Sequence, residues 1–309
     1  MFESIGSPIC MPTDPSRGIA PGGGKTFYVS GLDADDSSDD YEGTDPQYPL
    51  ATLAAAIAKC TQRKHDYIFV QDIYQGDTAP VLINVRNMHI IALTEGNQLG
   101  GRGVFDGQAV DACFKTYGTG GSLELAGFRL GSLGEACIEI AETSWYNHIH
   151  HCAFGHFLPA QDGILAEGNI AMQSWIIDHN FFSESLTRDG IRVGTGLWSF
   201  INHNFFFVKA GIGINIDPLN TAGVGGSTPL GGILGNTFMA LIGDTPAEGW
   251  AITISTTQAL VAGNKAATNG QTGTNNPYLD GSSNGVATLL NGWADNFDGP
   301  ALSAAPATA

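Results

Sequence analysis

Short runs of alternating apolar and polar residues, separated by Gly, Asn, Asp and Ser, fill most of this chain. They recur in two registers. In one, a short apolar strand ends in Asn and then Phe: Ile149-His150-His151-Cys152-Ala153-Phe154, Ile177-Asp178-His179-Asn180-Phe181-Phe182, Ile201-Asn202-His203-Asn204-Phe205-Phe206, Leu234-Gly235-Asn236-Thr237-Phe238 and, more weakly, Val261-Ala262-Gly263-Asn264-Lys265-Ala266. From Cys152 to Asn264 the spacings are 28, 24, 32 and 28 residues. In the other, a small residue precedes an apolar alternation: Cys137-Ile138-Glu139-Ile140, Gly163-Ile164-Leu165-Ala166, Gly190-Ile191-Arg192-Val193 and Gly211-Ile212-Gly213-Ile214, with Cys113-Phe114 before them and Trp250-Ala251-Ile252-Thr253-Ile254 after a Gly/Pro-rich insertion. Period-2 strands at a repeat of roughly 20 to 50 residues predict coils that stack, each covering the apolar face of its neighbour. The fold class expected is all-β, a single-stranded right-handed parallel β-helix, or solenoid.

The Asn column has a reason to exist in such a stack. A side-chain amide both donates and accepts, so Asn at a turn can bond the coil above, the coil below and the turn backbone, and it tolerates left-handed geometry. Each coil would add about 4.8 Å of length. A β-sandwich with Asn- and Gly-rich loops is the alternative, and it gives no reason for columns in phase.

Upstream, residues 1–24 are Pro- and Gly-rich and predict an extended N-terminal arm. Thr26-Phe27-Tyr28-Val29 reads as a strand, followed by an acidic loop. Leu50 to Cys60 is Ala-rich, begins after Pro49 and predicts an amphipathic helix at 50–60. A stack of coils has open ends with unpaired edges, and this helix is the expected cap. Tyr67-Ile68-Phe69-Val70, Val81-Leu82-Ile83 and Met88-His89-Ile90-Ile91 then open the coils, giving a β-helix over 25–266. Residues 267–309 look too irregular for coils and are expected to form a C-terminal cap or tail.

Composition narrows the function classes. Forty-two glycines in 309 residues and 14% charged residues suit a turn-dense β protein. The formal net charge of −17 would repel a phosphate backbone, which argues against nucleic acid as a partner. No basic segment followed by an apolar run and no stretch of about 20 apolar residues occurs, so neither a secretion signal nor membrane insertion is expected.

Lys25-Thr26-Phe27-Tyr28-Val29, the acidic loop through Gly43, Pro49-Leu50-Ala51-Thr52-Leu53-Ala54-Ala55-Ala56-Ile57, and then Ile68-Phe69-Val70 and Tyr74, resemble the opening of pectate-lyase-like right-handed β-helix proteins. The Ile-x-x-Asn-x-Phe coils resemble the carbohydrate-binding repeats of that superfamily, and the match spans about residues 25 to 266. Combined with the short arm, the chain is most similar to phage virion proteins of this fold. That resemblance implies a capsid decoration protein or surface spike on the virion, assembled in the host cytoplasm. Extracellular release by a non-classical route is the alternative location.

Candidate chemistry is sparse. Asp33, Asp35, Asp39 and Glu42 could supply oxygen ligands to calcium, although Ser38 and Thr44 break the EF-hand template; no other cofactor is expected. Gly24-Lys25-Thr26 has the tail of a phosphate-binding loop, but Ile19 stands where the first glycine belongs and a strand follows. Cys10, Cys60, Cys113, Cys137 and Cys152 show no metal-ligand spacing, and thiols are the default in a reducing cytoplasm. His151, His179 and His203 share one repeat position, with His148, His150 and His156 close by; such a ladder could bind a metal or a sugar, or could be a turn position that tolerates stacked rings.

Asp162 and Asp189 each precede the Gly of their strands, and stacking would bring them about one coil apart, near the 5 Å of a retaining glycosidase pair. Arg188 and Arg192 are plausible neighbours for an acidic sugar. Asp-Gly before a strand is equally ordinary turn chemistry. Phe181 and Phe205 alternate away from the inward Phe182 and Phe206 and predict an apolar stripe that needs a partner. The reading is therefore a non-catalytic virion structural protein, expected as a homotrimer, attached to the capsid shell or another virion protein through the arm or tail and able to bind a host glycan. A tailspike-type glycosidase or lyase using Asp162 and Asp189 is the alternative, and a carbohydrate-binding adhesin the second.

Overall fold

The computed structural model describes residues 23–31, 43–71, 80–93, 103–107, 112–118, 120–155, 160–166, 170, 172–194, 198–209, 211–216, 231–240, 250–254, 259–268, 276–280, 292–298 and 307–308. Among them the chain forms three parallel sheets of 11, 8 and 9 strands and one helix. The first sheet runs in order through Thr26–Val29, Asp66–Val70, Met88–Ala92, Leu123–Ala126, His148–His150, Met172–Asp178, Trp198–Asn202, Gly231–Leu234, Ala259–Ala262 and Gly292–Ala294. The second runs from Gly103–Gly107 to Phe297–Asp298, and the third from Val81–Ile83 to Ala307–Thr308. From Leu123 onward the main path visits the sheets in strict rotation, and every pairing is parallel to the equivalent strand one circuit away. This all-β arrangement is parallel β-helix-like.

From His150 onward the corner between the first and second sheets is two residues long at every rung, and on the rung before it Gly127 alone makes the corner. The first residue of each corner is left-handed: Gly127, His151, His179, His203, Gly235, Gly263 and Asp295 have φ of 80°, 54°, 53°, 53°, 64°, 66° and 52°. The second points inward, and from Asn180 onward it is always Asn. Asn180 Nδ2 donates to Ile149 O at 2.9 Å and to Asn204 Oδ1 at 3.0 Å, while the Asn180 N–H donates to the same Oδ1 at 2.9 Å. The pattern repeats from Asn204 to Asn236, Asn264 and Asn296. Each buried amide is thus satisfied along the stack, which is what makes its burial tolerable.

Inside that corner Phe154, Phe182, Phe206 and Phe238 stack face to face, with ring centroids 4.6, 4.4 and 4.8 Å apart. Each ring removes roughly 1.5–3 kcal/mol worth of apolar surface from water. Across the core, Gly163, Gly190 and Gly213 face Phe182, Phe206 and Phe238; a Cβ at any of them would stand 2.6–2.7 Å from a ring carbon. The two sequence columns are therefore two sides of one contact, with Gly213 rather than Gly211 in register with Gly190.

At the N-terminal end the helix spans Leu53–Lys59, capped by Thr52, whose hydroxyl accepts the Ala55 N–H at 3.1 Å. Leu53, Ala56 and Ile57 are buried with Phe27, Val29 and Ile68, so the helix packs over the first strands of the core. It is shorter than the segment read from the sequence because Leu50 instead bridges Val29 as strand. No helix among the described residues is long and apolar enough to cross a membrane.

Past Ala266 the expectation of an irregular segment is corrected. Tyr278–Asp280, Gly292–Ala294, Phe297–Asp298 and Ala307–Thr308 add a strand to each sheet in turn. Strands of two or three residues are too short to show alternation, but Asp295-Asn296-Phe297 repeats the corner motif, and Asn296 accepts from Asn264. Of the arm, only Gly23 and Gly24 are among the described residues, and Asp33, Asp35, Asp39, Glu42, Cys10 and His156 lie outside them.

Candidate functional site

Asp162 and Asp189 are both buried, 0% and 3% exposed. Asp162 accepts from Arg188 Nε at 2.9 Å, forms a second contact with the same guanidinium, and takes the Asp189 N–H at 2.9 Å. Asp189 repeats the role one rung on: Oδ1 accepts the Ile212 N–H at 2.9 Å, and Oδ2 accepts from Asn215 Nδ2 and Arg192 Nη1 at 2.9 and 3.0 Å. Burial pushes the Asp162 carboxyl up, and Arg188 offsets part of that. Both carboxylates thus hold the next coil's backbone, and both arginines named as sugar ligands hold the carboxylates.

The His151, His179 and His203 rings stack 5.4 and 5.5 Å apart along the outside of the first corner. Their left-handed backbone explains the residue type, since His, Asn and Asp are the side chains that enter this region most readily. Phe181 and Phe205 are half-buried rather than an open stripe, stacked at 5.9 Å with Phe207 edge-on to both.

Among the described residues a denser polar cluster lies elsewhere, on the outer face of the first sheet. Parallel register sets Tyr67, His89, Glu124, His148, Ile176 and Phe200 in one column. Two residues further along the strands lie His150 and Asp178. Glu124 stands between two imidazoles: His89 Nδ1 is 2.6 Å from Oε2, and His150 Nε2 is 3.0 Å from Oε1. His148 Nε2 is 2.8 Å from Asp178 Oδ1, and His179 Nδ1 is 3.3 Å from Oδ2.

The chain of contacts extends in both directions. His65 Nδ1 lies 3.3 Å from His89 Nε2, Asn87 Nδ2 lies 2.9 Å from His65 Nε2, and His150 Nδ1 lies 2.8 Å from His151 Nδ1. Asn87 can only donate through its amide nitrogen and Glu124 as a carboxylate can only accept, so one proton arrangement satisfies the whole series with every imidazole neutral. Asn87 donates to His65, His65 to His89 and His89 to Glu124; His151 donates to His150, and His150 to Glu124. Hydrogen bonds from His150 and His89 hold the Glu124 carboxyl well below the usual carboxylate range, outweighing its burial. Burial pushes Asp178 up, but His148 and the surrounding imidazoles bring it below its ordinary value. His151 is pushed below 6.5, first by burial and then by His150 and His179.

Glu124, His148 and His150 each offer a ligand atom, all within 4.8 Å of one another. His148 and His150 were legible as neighbours of the histidine column, whereas Glu124 and His89 were not. The signal was the coil length: Glu124 lies 24 residues before His148, one repeat back.

Beyond the cluster, the same outer face turns apolar. Ile176, Phe200 and Leu260 are 41%, 44% and 49% exposed. Ser174, at φ 56°, and a register shift between Gln173 and Ile176 turn Trp175 into the core and leave Ile176 outside. The Phe200 ring lies over Gly232, where a Cβ would stand 3.2 Å from it.

Three thiols are buried in the core, at Cys113, Cys137 and Cys152. Cys113 and Cys137 occupy neighbouring rungs with no disulfide between them, and burial pushes Cys137 and Cys152 up to about 12. No protein-family model matches the chain, and comparison with curated proteins and with solved structures finds no match.

Proposed function

We propose that the chain is a non-catalytic structural rod, a single-stranded right-handed parallel β-helix that serves as a virion surface component, either a capsid decoration protein or a spike. The observation that carries the non-catalytic reading is the use of Asp162 and Asp189. A glycosidase pair needs one carboxyl to protonate a leaving group and another to reach the sugar, and neither does so from within a backbone-capping ion pair. The handedness is supported by the strong preference of parallel crossovers for the right-handed path.

The virion setting is supported by the resemblance of the Lys25–Val29 strand, the Pro49–Ile57 cap and the Asn-Phe coils to pectate-lyase-like β-helix proteins, a combination that with the Pro- and Gly-rich segment 1–24 is most like phage virion proteins of this fold. A homotrimer is supported by the exposed column of Ile176, Phe200 and Leu260 as apolar surface that a second copy would cover, with the half-buried Phe181 and Phe205 a further apolar pair across the His179/His203 corner.

Incubation with host polysaccharide, followed by reducing-end and unsaturated-product assays, tests the reading. No product is expected. Product released by the wild type and lost in Asp162→Asn or Asp189→Asn would establish the enzyme instead, and retention of intact polysaccharide without cleavage would establish the adhesin.

A further inference from the structure

We propose that Glu124, His148 and His150 form a binding site for a transition-metal dication of the Zn²⁺ class, open on one side to solvent. The three residues come from two adjacent rungs of the first sheet. His148 and His150 are two apart on one strand and so project from the same face, and Glu124 is the register partner of His148 on the preceding strand. A rigid parallel sheet fixes these three Cα positions before any ion arrives, so little order has to be created on binding.

The spacing suits coordination. Two ligand atoms each about 2.1 Å from an ion, at angles of about 90–110°, lie about 3.0–3.4 Å apart. His150 Nε2 and Glu124 Oε1 already stand 3.0 Å apart, and the ligand atom of His148 falls within 4.8 Å of both, so coordination by all three requires His148 to turn toward the other two. One carboxylate and two imidazoles favour Zn²⁺, Cu²⁺, Ni²⁺ or Co²⁺ over Ca²⁺ and Mg²⁺, which prefer all-oxygen shells.

The surroundings orient the ligands as a metal site requires. His89 holds the second oxygen of Glu124 at 2.6 Å, His151 contacts the far nitrogen of His150 at 2.8 Å, and Asp178 lies 2.8 Å from His148 Nε2. Entry of the ion displaces the proton on His150 Nε2 to solvent. The His151 Nδ1 proton passes to His150 Nδ1, which then donates back to His151, and His151 takes up a proton from solvent at Nε2, so no net proton is released. Side-chain exposures of 24% for Glu124, 33% for His148 and 9% for His150 leave the outer position to water or to a partner's ligand atom.

Zn²⁺ titration of the chelator-stripped full chain by calorimetry, with Cu²⁺ electron paramagnetic resonance on the same preparation, tests the site. One Zn²⁺ per chain is expected, with Cu²⁺ coupled to two nitrogens. His148→Gln and Glu124→Gln should each weaken Zn²⁺ at least tenfold, while the control His179→Gln/His203→Gln chain binds as the wild type does. A wild type that binds Zn²⁺ no more tightly than His148→Gln, binding abolished in the control chain, or Cu²⁺ without two-nitrogen coupling would each overturn the proposal. The resonance readout uses the unaltered chain and stands even if a ligand variant fails to fold.

Discussion

The ring of Phe206 packs directly on the α-carbon of Gly190: a Cβ there would lie 2.7 Å from Phe206 Cδ1 and 2.5 Å from the Gly213 carbonyl oxygen. Gly163 with Phe182 and Gly213 with Phe238 repeat the relationship. One rung further the register positions are filled by Ala251 and Ala266, so the larger residue enters the glycine column where the ring is gone.

Gly190→Ala should therefore destabilise the chain by about 1–3 kcal/mol through overpacking. Ala251→Gly should cost only about 0.5–1 kcal/mol, the backbone term. Urea midpoints of the two variants measure the difference, and equal losses would mean that the ring does not constrain the glycine.

The Asn ladder gives a sharper case. Asn204→Ala removes the oxygen that accepts both the Asn180 N–H and its Nδ2, and the donor to Ile177 O. Each buried group left without a partner costs on the order of 1–3 kcal/mol. Thermal melting should show a loss larger than that of Asn202→Ala, on the partly exposed outer face of the same strand region.

These two columns also mark how far the sequence carries. Asn180, Asn204, Asn236 and Asn264 were legible because the corner stays two residues long from His150 onward, so insertions elsewhere in the coil leave its motif intact. Asn296 carries the same motif but sits among strands too short to alternate. Asp162 and Asp189 were correctly placed on adjacent rungs, yet sequence cannot say whether a carboxylate faces solvent or a backbone N–H. Glu124 and His89 escaped notice because their partners are a full coil away, and only the register shows which outer positions coincide.

Protonation of His151 gives a pH signature. Its folded value lies below 6.5, so the unfolded chain binds the extra proton more readily. The stability it contributes is present above about pH 6.5 and is lost as pH falls through that value toward the folded one. Melting temperature in the presence of a chelator should fall from pH 7 to pH 5, and less in His151→Asn, since Asn tolerates the left-handed backbone at φ 54°. Glu124 and Asp178, both held below their ordinary values, stay charged across that range.

Self-association should depend on the apolar column. Sedimentation equilibrium of the wild type is expected to give three times the chain mass, and Phe200→Ser with Leu260→Ser should give the monomer. An unchanged trimer in that double variant would move the interface elsewhere, with Phe181 and Phe205 the next surface to test.

The most direct test of the central claim is immunogold electron microscopy of particles purified from a lysate, using antibody raised against the chain. A non-catalytic virion rod predicts regular label at fixed positions on the particle shell or tail. Label absent from particles, with the chain recovered free and cleaving host polysaccharide, would contradict the account.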